Sequence, residues 1–388
     1  MAYIEGRVVH DADAHIMEWP SWLTDYASAE WKERLAPREP TDGDGSRLDL
    51  DSIRSRHESD EYRADDVAEI MARKNFAATG SFIAEDRPRA LDLLGVASQL
   101  VFNTFHNSRL VAWEHSDPEM AAAASRAHNR GMVDFCSVDE RLLPTLYVPL
   151  AEFETAEAIA SEAVEMGAAA LLVPSACPKG HSPSHDRLDP VWAAAQDAGL
   201  PIVFHVGGGG EHFNRDYFAN GRPVPPDFHG GEENFRSVDY MAIPHPVMQT
   251  LATMIFDGVF DRFPRLRFGV VEMGAIWLPS WIHQLEAAFD AFARHEERLR
   301  TLELRPAEYV QRQVRATPYP TEDVGWLTEQ LGPEICLFSS DYPHVEGGRR
   351  PFERFEASLG DVSDAVRDRF YAGNFADLMG SHLPVVSS

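Results

Sequence analysis

The chain reads as an α/β protein, a (β/α)8 TIM barrel forming one domain over residues 1–388. Three observations predict this. Short apolar runs alternate with longer amphipathic stretches, as repeated βα units feeding a parallel sheet would. The runs can be counted to eight. Four of them end in carboxylate or imidazole side chains, and in such a barrel the strand ends share the face that carries chemistry.

The runs fall at residues 7–11, 98–103, 142–148, 168–173, 201–205, 266–272, 313–317 and 335–339. Helical patterns lie between them at 117–137, 152–166, 190–198, 246–260 and 276–299. Two segments break the alternation. Residues 37–89 are polar and rich in Asp, Arg and Ser, an N-terminal insertion; residues 207–244, after strand five, are rich in Gly, Pro and Asn. Both follow strands, so both are expected over the C-terminal face as lid and wall.

Composition narrows the function. Hydrophobic residues make up 44% and charged residues 25%, enough for a large core. The formal charge is −27, from 62 acidic against 35 basic residues. Such a surface repels nucleic-acid phosphates and anionic lipid, and its plainest role is solubility. A small-molecule substrate remains. Cys136, Cys177 and Cys336 show no C-x-x-C spacing and predict no disulfide framework, which fits a reducing cytoplasm. No apolar run reaches membrane-spanning length, and the first residues do not read as a signal peptide.

Four clusters hold the candidate chemistry. In the first, residues 10–18, alternation along a strand would give Asp11, Asp13 and His15 one face, and Glu18 could fold back toward them. A strand end with a capping Asp and a buried His fits the same residues. In the second, an apolar run ends at His205 before four glycines, which let a loop pass close to a ligand. In the third, a run ends at Glu272, whose charge needs a metal, Arg or Lys if buried. In the fourth, Asp341 ends strand eight and His344 follows three residues on; an Asp there can bind metal or act as general base. Around them, Phe102, Phe105, His106, Phe213, Tyr217, Phe218, Phe228 and Tyr240 suit a bulky apolar substrate, although packing explains many equally well. Arg215, Arg222 and Arg236 could hold an acid group or merely offset the acidic surface; His245 could contact substrate.

Asp11-Ala12-Asp13-Ala14-His15, Leu188-Asp189-Pro190-Val191-Trp192, His205, Phe263-Pro264-Arg265-Leu266, Gly274-Ala275-Ile276-Trp277-Leu278-Pro279 and Ser340-Asp341-Tyr342-Pro343-His344 together resemble the amidohydrolase-related barrel family. The likeness is to its branch of aminocarboxymuconate-semialdehyde and resorcylate-type decarboxylases, and it runs from His10 to about Met379. The resemblance implies a metal at Asp13, His15, His205 and Asp341, and it allows a homodimer. Two positions depart from the pattern. The first His of the family's H-x-H is Asp13 here, and the strand-six His that moves protons in the decarboxylases is Glu272.

The candidate ligands thus become Asp13, His15, Glu18, His205, Glu272 and Asp341, an oxygen-rich set that favours iron or manganese over thiolate-loving metals. This inventory is similar to that of nonheme di-iron monooxygenases of the same general family from platensimycin and platencin biosynthesis. The first expectation is therefore a two-iron oxygenase that hydroxylates an apolar molecule. The second is a hydrolase or nonoxidative decarboxylase with one zinc or manganese ion, in which Asp341, Glu272 or His344 moves the proton.

Overall fold

The computed structural model describes residues 2–37, 49–209, 214–225 and 236–383. Seven parallel strands form one curled sheet in sequence order: β1 His10–His15, β2 Ser98–Phe102, β3 Leu142–Tyr147, β4 Ala170–Leu172, β5 Ile202–His205, β6 Phe268–Val271 and β7 Val314–Ala316. Each strand is joined to the next by a helical crossover, so the strands point the same way and their C-terminal ends share one rim.

Two expectations change. The first strand runs on to His15 rather than stopping at residue 11, because its ladder with β2 resumes after a register shift between Asp11 and Ala14. The eighth expected strand, 335–339, is not a strand of this sheet. Residues 335–342 make isolated parallel bridges instead, Cys336 to Ala316 on β7 and Tyr342 to Ala14 on β1. Four backbone bonds of 2.7–3.0 Å support them: Ala316 N to Ile335 O, Leu337 N to Ala316 O, Ala12 N to Phe338 O and His15 N to Tyr342 O. Asp341, with φ 53, turns the chain before a longer ladder can form.

Helix Pro118–Cys136 shows why the crossovers form. Asp117 caps it by accepting from Met120 N, proline occupies the first turn, and Met120, Ala124, Ala127 and Gly131 fall on the buried side at helical spacing. The helix expected at 246–260 is divided into His245–Phe256 and Val259–Arg262, because Gly258 takes φ 76 between them. Segment 49–89 is built from short helices rather than a bare loop, among them Leu50–His57, Asp60–Ala64 and Asp66–Glu69. One apolar core cluster reaches from Ile4 to Met379. No helix among the described residues is long and apolar enough to cross a membrane.

Candidate metal centre

Strand register brings four chain ends level. His205 on β5 pairs with Val271 on β6, so Glu272 lies just past the same rim. On the other side, Asp341 N donates to Asp13 O at 2.9 Å and fixes the segment after residue 335 against β1.

The histidine tautomers follow from their backbone partners. His15 Nδ1 lies 2.8 Å from the carbonyl of Asn103, and His205 Nδ1 lies 3.0 Å from that of Val206. A carbonyl only accepts, so each Nδ1 bears the proton and each Nε2 presents a lone pair. Burial, reinforced by the charge of His344, pushes His15 down to about 4 and keeps it neutral near pH 7. Those lone pairs face carboxylate oxygens. His15 Nε2 stands 3.1 Å from Asp13 Oδ1, 3.6 Å from Asp341 Oδ1 and 3.8 Å from Glu272 Oε2. His205 Nε2 stands 3.1 Å from Glu272 Oε2 and 3.4 Å from Asp13 Oδ1. His15 Nε2 and both Asp341 oxygens are buried with no well-oriented hydrogen bond. Lone pairs and anions aimed at each other across a buried gap repel, and a divalent cation between them removes the repulsion. The residues therefore fit a metal. The ligand atoms form two overlapping groups, Asp13–His15–His205–Glu272 and His15–Glu272–Asp341–His344, each lying within 4.8 Å.

The backbone is strained where these acids sit. Glu272 has φ 55 and Asp341 φ 53, a region that favours glycine. Glu272 is held by two residues after β7: its N–H donates to Thr317 Oγ1 at 2.9 Å, and Tyr319 Oη donates to its carbonyl at 2.8 Å. Simple alternation would give Asp11 the face of His15, but the register shift after it turns Asp11 to the opposite face of β1, where it serves as a bracket. It accepts from Ser340 N at 2.8 Å, Ser340 Oγ at 2.6 Å and Gln99 Nε2 at 2.9 Å. The fully buried Arg87 donates to His15 O at 2.9 Å and to Gln99 Oε1 at 3.1 Å, and joins the same frame.

His344 differs from the other two imidazoles. Thr104 Oγ1 gives its one proton to Ile16 O at 2.7 Å, so it accepts from His344 Nε2 at 2.8 Å. His344 Nδ1 then lies 3.0 Å from Asp341 Oδ1. Burial would lower the pKa of His344, but the charge of Asp341 and the bond to it hold it above the ordinary imidazole value. His344 is thus poised to carry a proton on both nitrogens.

Of the remaining sequence candidates, Phe102 packs on both imidazoles, its ring centroid 4.6 Å from that of His205 and 6.0 Å from that of His15, and Tyr240 lies 5.0 Å from Tyr319. Glu18 Oε2 accepts from the backbone N–H groups of Thr104 at 3.0 Å and Phe105 at 3.1 Å, and Glu18 joins neither ligand group. His245 is exposed in the first turn of its helix, and Tyr217 is 74% exposed. Arg215 begins the short helix Arg215–Phe218. Phe213 and Phe228 lie outside the described residues. Thr104, Thr317, Tyr319 and Arg87 were not singled out by sequence; the one available signal was a polar side chain within three residues of a strand end, which Thr104 and Thr317 share. A surface cleft of about 650 Å³, lined by Trp31, Arg126 and Glu152 among others, lies on the outer helices and shares no residue with this cluster.

The amidohydrolase family pattern matches residues 11–380. No curated protein matches the chain in sequence. Among solved structures, an amidohydrolase from Mycobacterium avium subsp. paratuberculosis K-10 superposes with a TM-score of 0.75 at 23% identity, covering 97% of this chain and 100% of that one. 5-Carboxyvanillate decarboxylase from Sphingomonas paucimobilis gives 0.62 at 18% identity, covering 96% and 99%. A dihydroxybenzoic acid decarboxylase from Polaromonas sp. JS666, with bound manganese and the inhibitor 2-nitroresorcinol, gives 0.62 at 16% identity, covering 96% and 97%. At these identities the structural likeness shows the fold alone. None of the three is named an oxygenase, so the resemblance to di-iron monooxygenases gains no support from them. The pattern spans nearly the whole sequence, and the chain belongs to the amidohydrolase family.

Proposed function

We propose that this chain is a nonoxidative decarboxylase of a small organic acid, dependent on one divalent ion. Asp13, His15, His205 and Asp341 would hold the ion, with Glu272 closing the set; oxygen and imidazole donors of this kind suit manganese, zinc or iron. Residues 335–342 would serve as the eighth stave of the barrel, closing it between β7 and β1. When bound, the ion supplies a Lewis acid for a substrate oxygen. The protein does the rest. Nonoxidative decarboxylation replaces carbon dioxide with a proton, so it needs an acid beside the metal. The observation that carries the reading is the placement of His344: its Nε2 lies 2.8 Å from Thr104 Oγ1 and its Nδ1 3.0 Å from Asp341 Oδ1, so a proton on each nitrogen would be held beside the ion. His344 would deliver a proton from Nδ1 to the substrate carbon and be recharged from solvent. This reassigns the step that a strand-six His performs in the decarboxylases, since that place holds Glu272. The decarboxylase neighbours, one with manganese bound, support the choice.

The test is metal content with the gas balance. Protein grown with iron, zinc and manganese together should carry about one ion per chain. His15→Ala and His205→Ala should lose most of it. Under nitrogen, turnover of hydroxybenzoates should release carbon dioxide, and His344→Gln should remove turnover while retaining metal. Two irons per chain with stoichiometric consumption of dioxygen would overturn the proposal and restore the di-iron oxygenase. Water uptake without carbon dioxide would make the enzyme a hydrolase.

A further inference from the structure

Segment 49–89 delivers one charged group to the rim that no role above uses. Lys74 immediately precedes the short helix Asn75–Ala77. Asn75 has φ 52, and its N–H donates to Pro343 O at 2.9 Å. That bond ties Lys74 to the stretch that carries Asp341 and His344. The Nζ of Lys74 is buried and has no hydrogen-bond acceptor among the described residues. The carboxylates that act on it are Asp341 first and Glu346 second, with Arg349 opposing.

A buried ammonium without an acceptor is costly. If Lys74 were only a counter-charge, its flexible four-carbon stem would let Nζ close onto one of those oxygens. It does not: the ammonium has no hydrogen-bonded anion among the described residues, and within hydrogen-bond distance the Asp341 carboxylate meets only the imidazole of His344, Oδ1 at 3.0 Å from Nδ1. A ligand carrying oxygens toward both the ion and Lys74 would satisfy the two together. The neighbourhood is apolar: Phe76 is buried with Met17, Phe82 and Ile83, and stacks on Phe105 at 5.9 Å and 17°. Met17 Sδ lies 3.7 Å from Thr104 Oγ1, the group that holds His344. Ammonium and apolar wall thus bracket the side of the site where the proton is held.

We infer that Lys74 binds an oxyanion of the substrate, carried on an apolar ring, and thereby sets specificity for acids over their neutral analogues. The inference rests on the metal reading above, and its test keeps the two apart. Full-length protein is first titrated with Mn²⁺ alone. The loaded wild type, Lys74→Met and Lys74→Arg are then titrated with 2-nitroresorcinol by absorbance, and with benzoate and salicylate by calorimetry. The Mn²⁺ affinity of Lys74→Met should stay within about threefold of wild type, because Nζ donates to no metal ligand. Its affinity for the anions should fall by about tenfold or more, the effect expected of a lost charge-assisted bond. Lys74→Arg should recover part of that loss, which a misfolded variant could not do. A wild type that binds no Mn²⁺ refutes the metal reading and this inference with it. A wild type that binds Mn²⁺ but none of the three anions overturns Lys74 alone. So does a Lys74→Met variant that binds them as tightly as wild type, or one that loses Mn²⁺ affinity while each loaded site still binds the anion normally.

Discussion

Glu272 is held against its own backbone preference, and that can be measured. The left-handed conformation costs a non-glycine residue about 1–2 kcal/mol. Two bonds resist it, one from Glu272 N to Thr317 Oγ1 and one from Tyr319 Oη to Glu272 O. Thr317→Val removes the acceptor and costs about 1–3 kcal/mol; Tyr319→Phe removes the donor and costs about 0.5–1.5 kcal/mol. Either bond alone roughly offsets the strain, and the loss of both does not. Each single variant should therefore keep Glu272 facing His205 and bind Mn²⁺ within about threefold of wild type. The double variant should release the carboxylate and weaken binding by about tenfold or more, a factor worth about 1.4 kcal/mol. The assay is a Mn²⁺ titration followed by electron paramagnetic resonance, with urea unfolding of each apoprotein as a control for stability. The coupling between the two substitutions should exceed about 0.5 kcal/mol. A double variant whose affinity is the simple product of the two single effects would refute the argument that the bonds share one task.

Two further predictions test the frame. His128 is fully buried and accepts from Trp22 Nε1 at 3.1 Å, and burial pushes it down to about 3. Its folded value lies below the unfolded one of about 6.5, so its contribution to stability is present above pH 6.5 and is lost as pH falls toward 3, at about 1.4 kcal/mol per pH unit between roughly pH 6 and 4. His128→Gln should flatten urea-unfolding stability by that slope between pH 6 and 5; an unchanged slope would refute the assignment. At Gly347 a Cβ would come within 2.1 Å of Ser340 O and 3.0 Å of Asp341 Cβ. Gly347→Ala should displace the turn that bears Asp341, cost about 1–3 kcal/mol of stability and weaken Mn²⁺ binding, and a variant with wild-type affinity for the ion would show that the turn does not position it.

Strand direction made most of the metal-facing set legible in the sequence. Asp13, His15, His205, Glu272 and Asp341 each stand at or just beyond an apolar run, and parallel strands must bring such ends to one rim. The strand ends themselves were less legible. The register shift after Asp11 turns it to the face opposite His15, where its carboxylate is taken by Ser340; no local pattern announces that shift. Glu18 is drawn to the N–H groups of Thr104 and Phe105, because the chain after β2 curls over it. The eighth run looked like the others in composition, but its pairing depends on the left-handed turn at Asp341, and neither ladder lengthens into a strand. The groups that hold the site in place were invisible for a plainer reason. Thr104 and His344 are 240 residues apart, and Arg87 reaches His15 O across 72. Such contacts exist only after the sheet has curled.

The exchange of a strand-six His for Glu272 then has a consequence in charge. Asp13, Glu272 and Asp341 bring three negative charges into a buried site. A divalent ion, with His344 carrying the second proton that the proposed reaction requires, would supply three positive ones, and the loaded centre would then be neutral without help from solvent. With a neutral side chain at position 272, the same centre would carry one surplus positive charge and would attract an anionic substrate by itself. On the inference drawn for Lys74, that surplus would come instead from its ammonium, which faces the charge of Asp341 from a different segment of the chain. Moving the charge outward leaves the metal-facing set balanced and puts the attraction where the substrate's own oxyanion can meet it. A second divalent ion would leave the centre with two uncompensated positive charges before Lys74 is counted, a costly arrangement in a buried site unless bridging oxygens came with it. The balance favours one ion, and Glu272→Gln tests it directly: the loaded variant should bind the anions of the Lys74 titration more tightly than wild type even as its Mn²⁺ affinity falls. Weaker anion binding in that variant would show that Glu272 contacts the ligand rather than setting the charge of the centre.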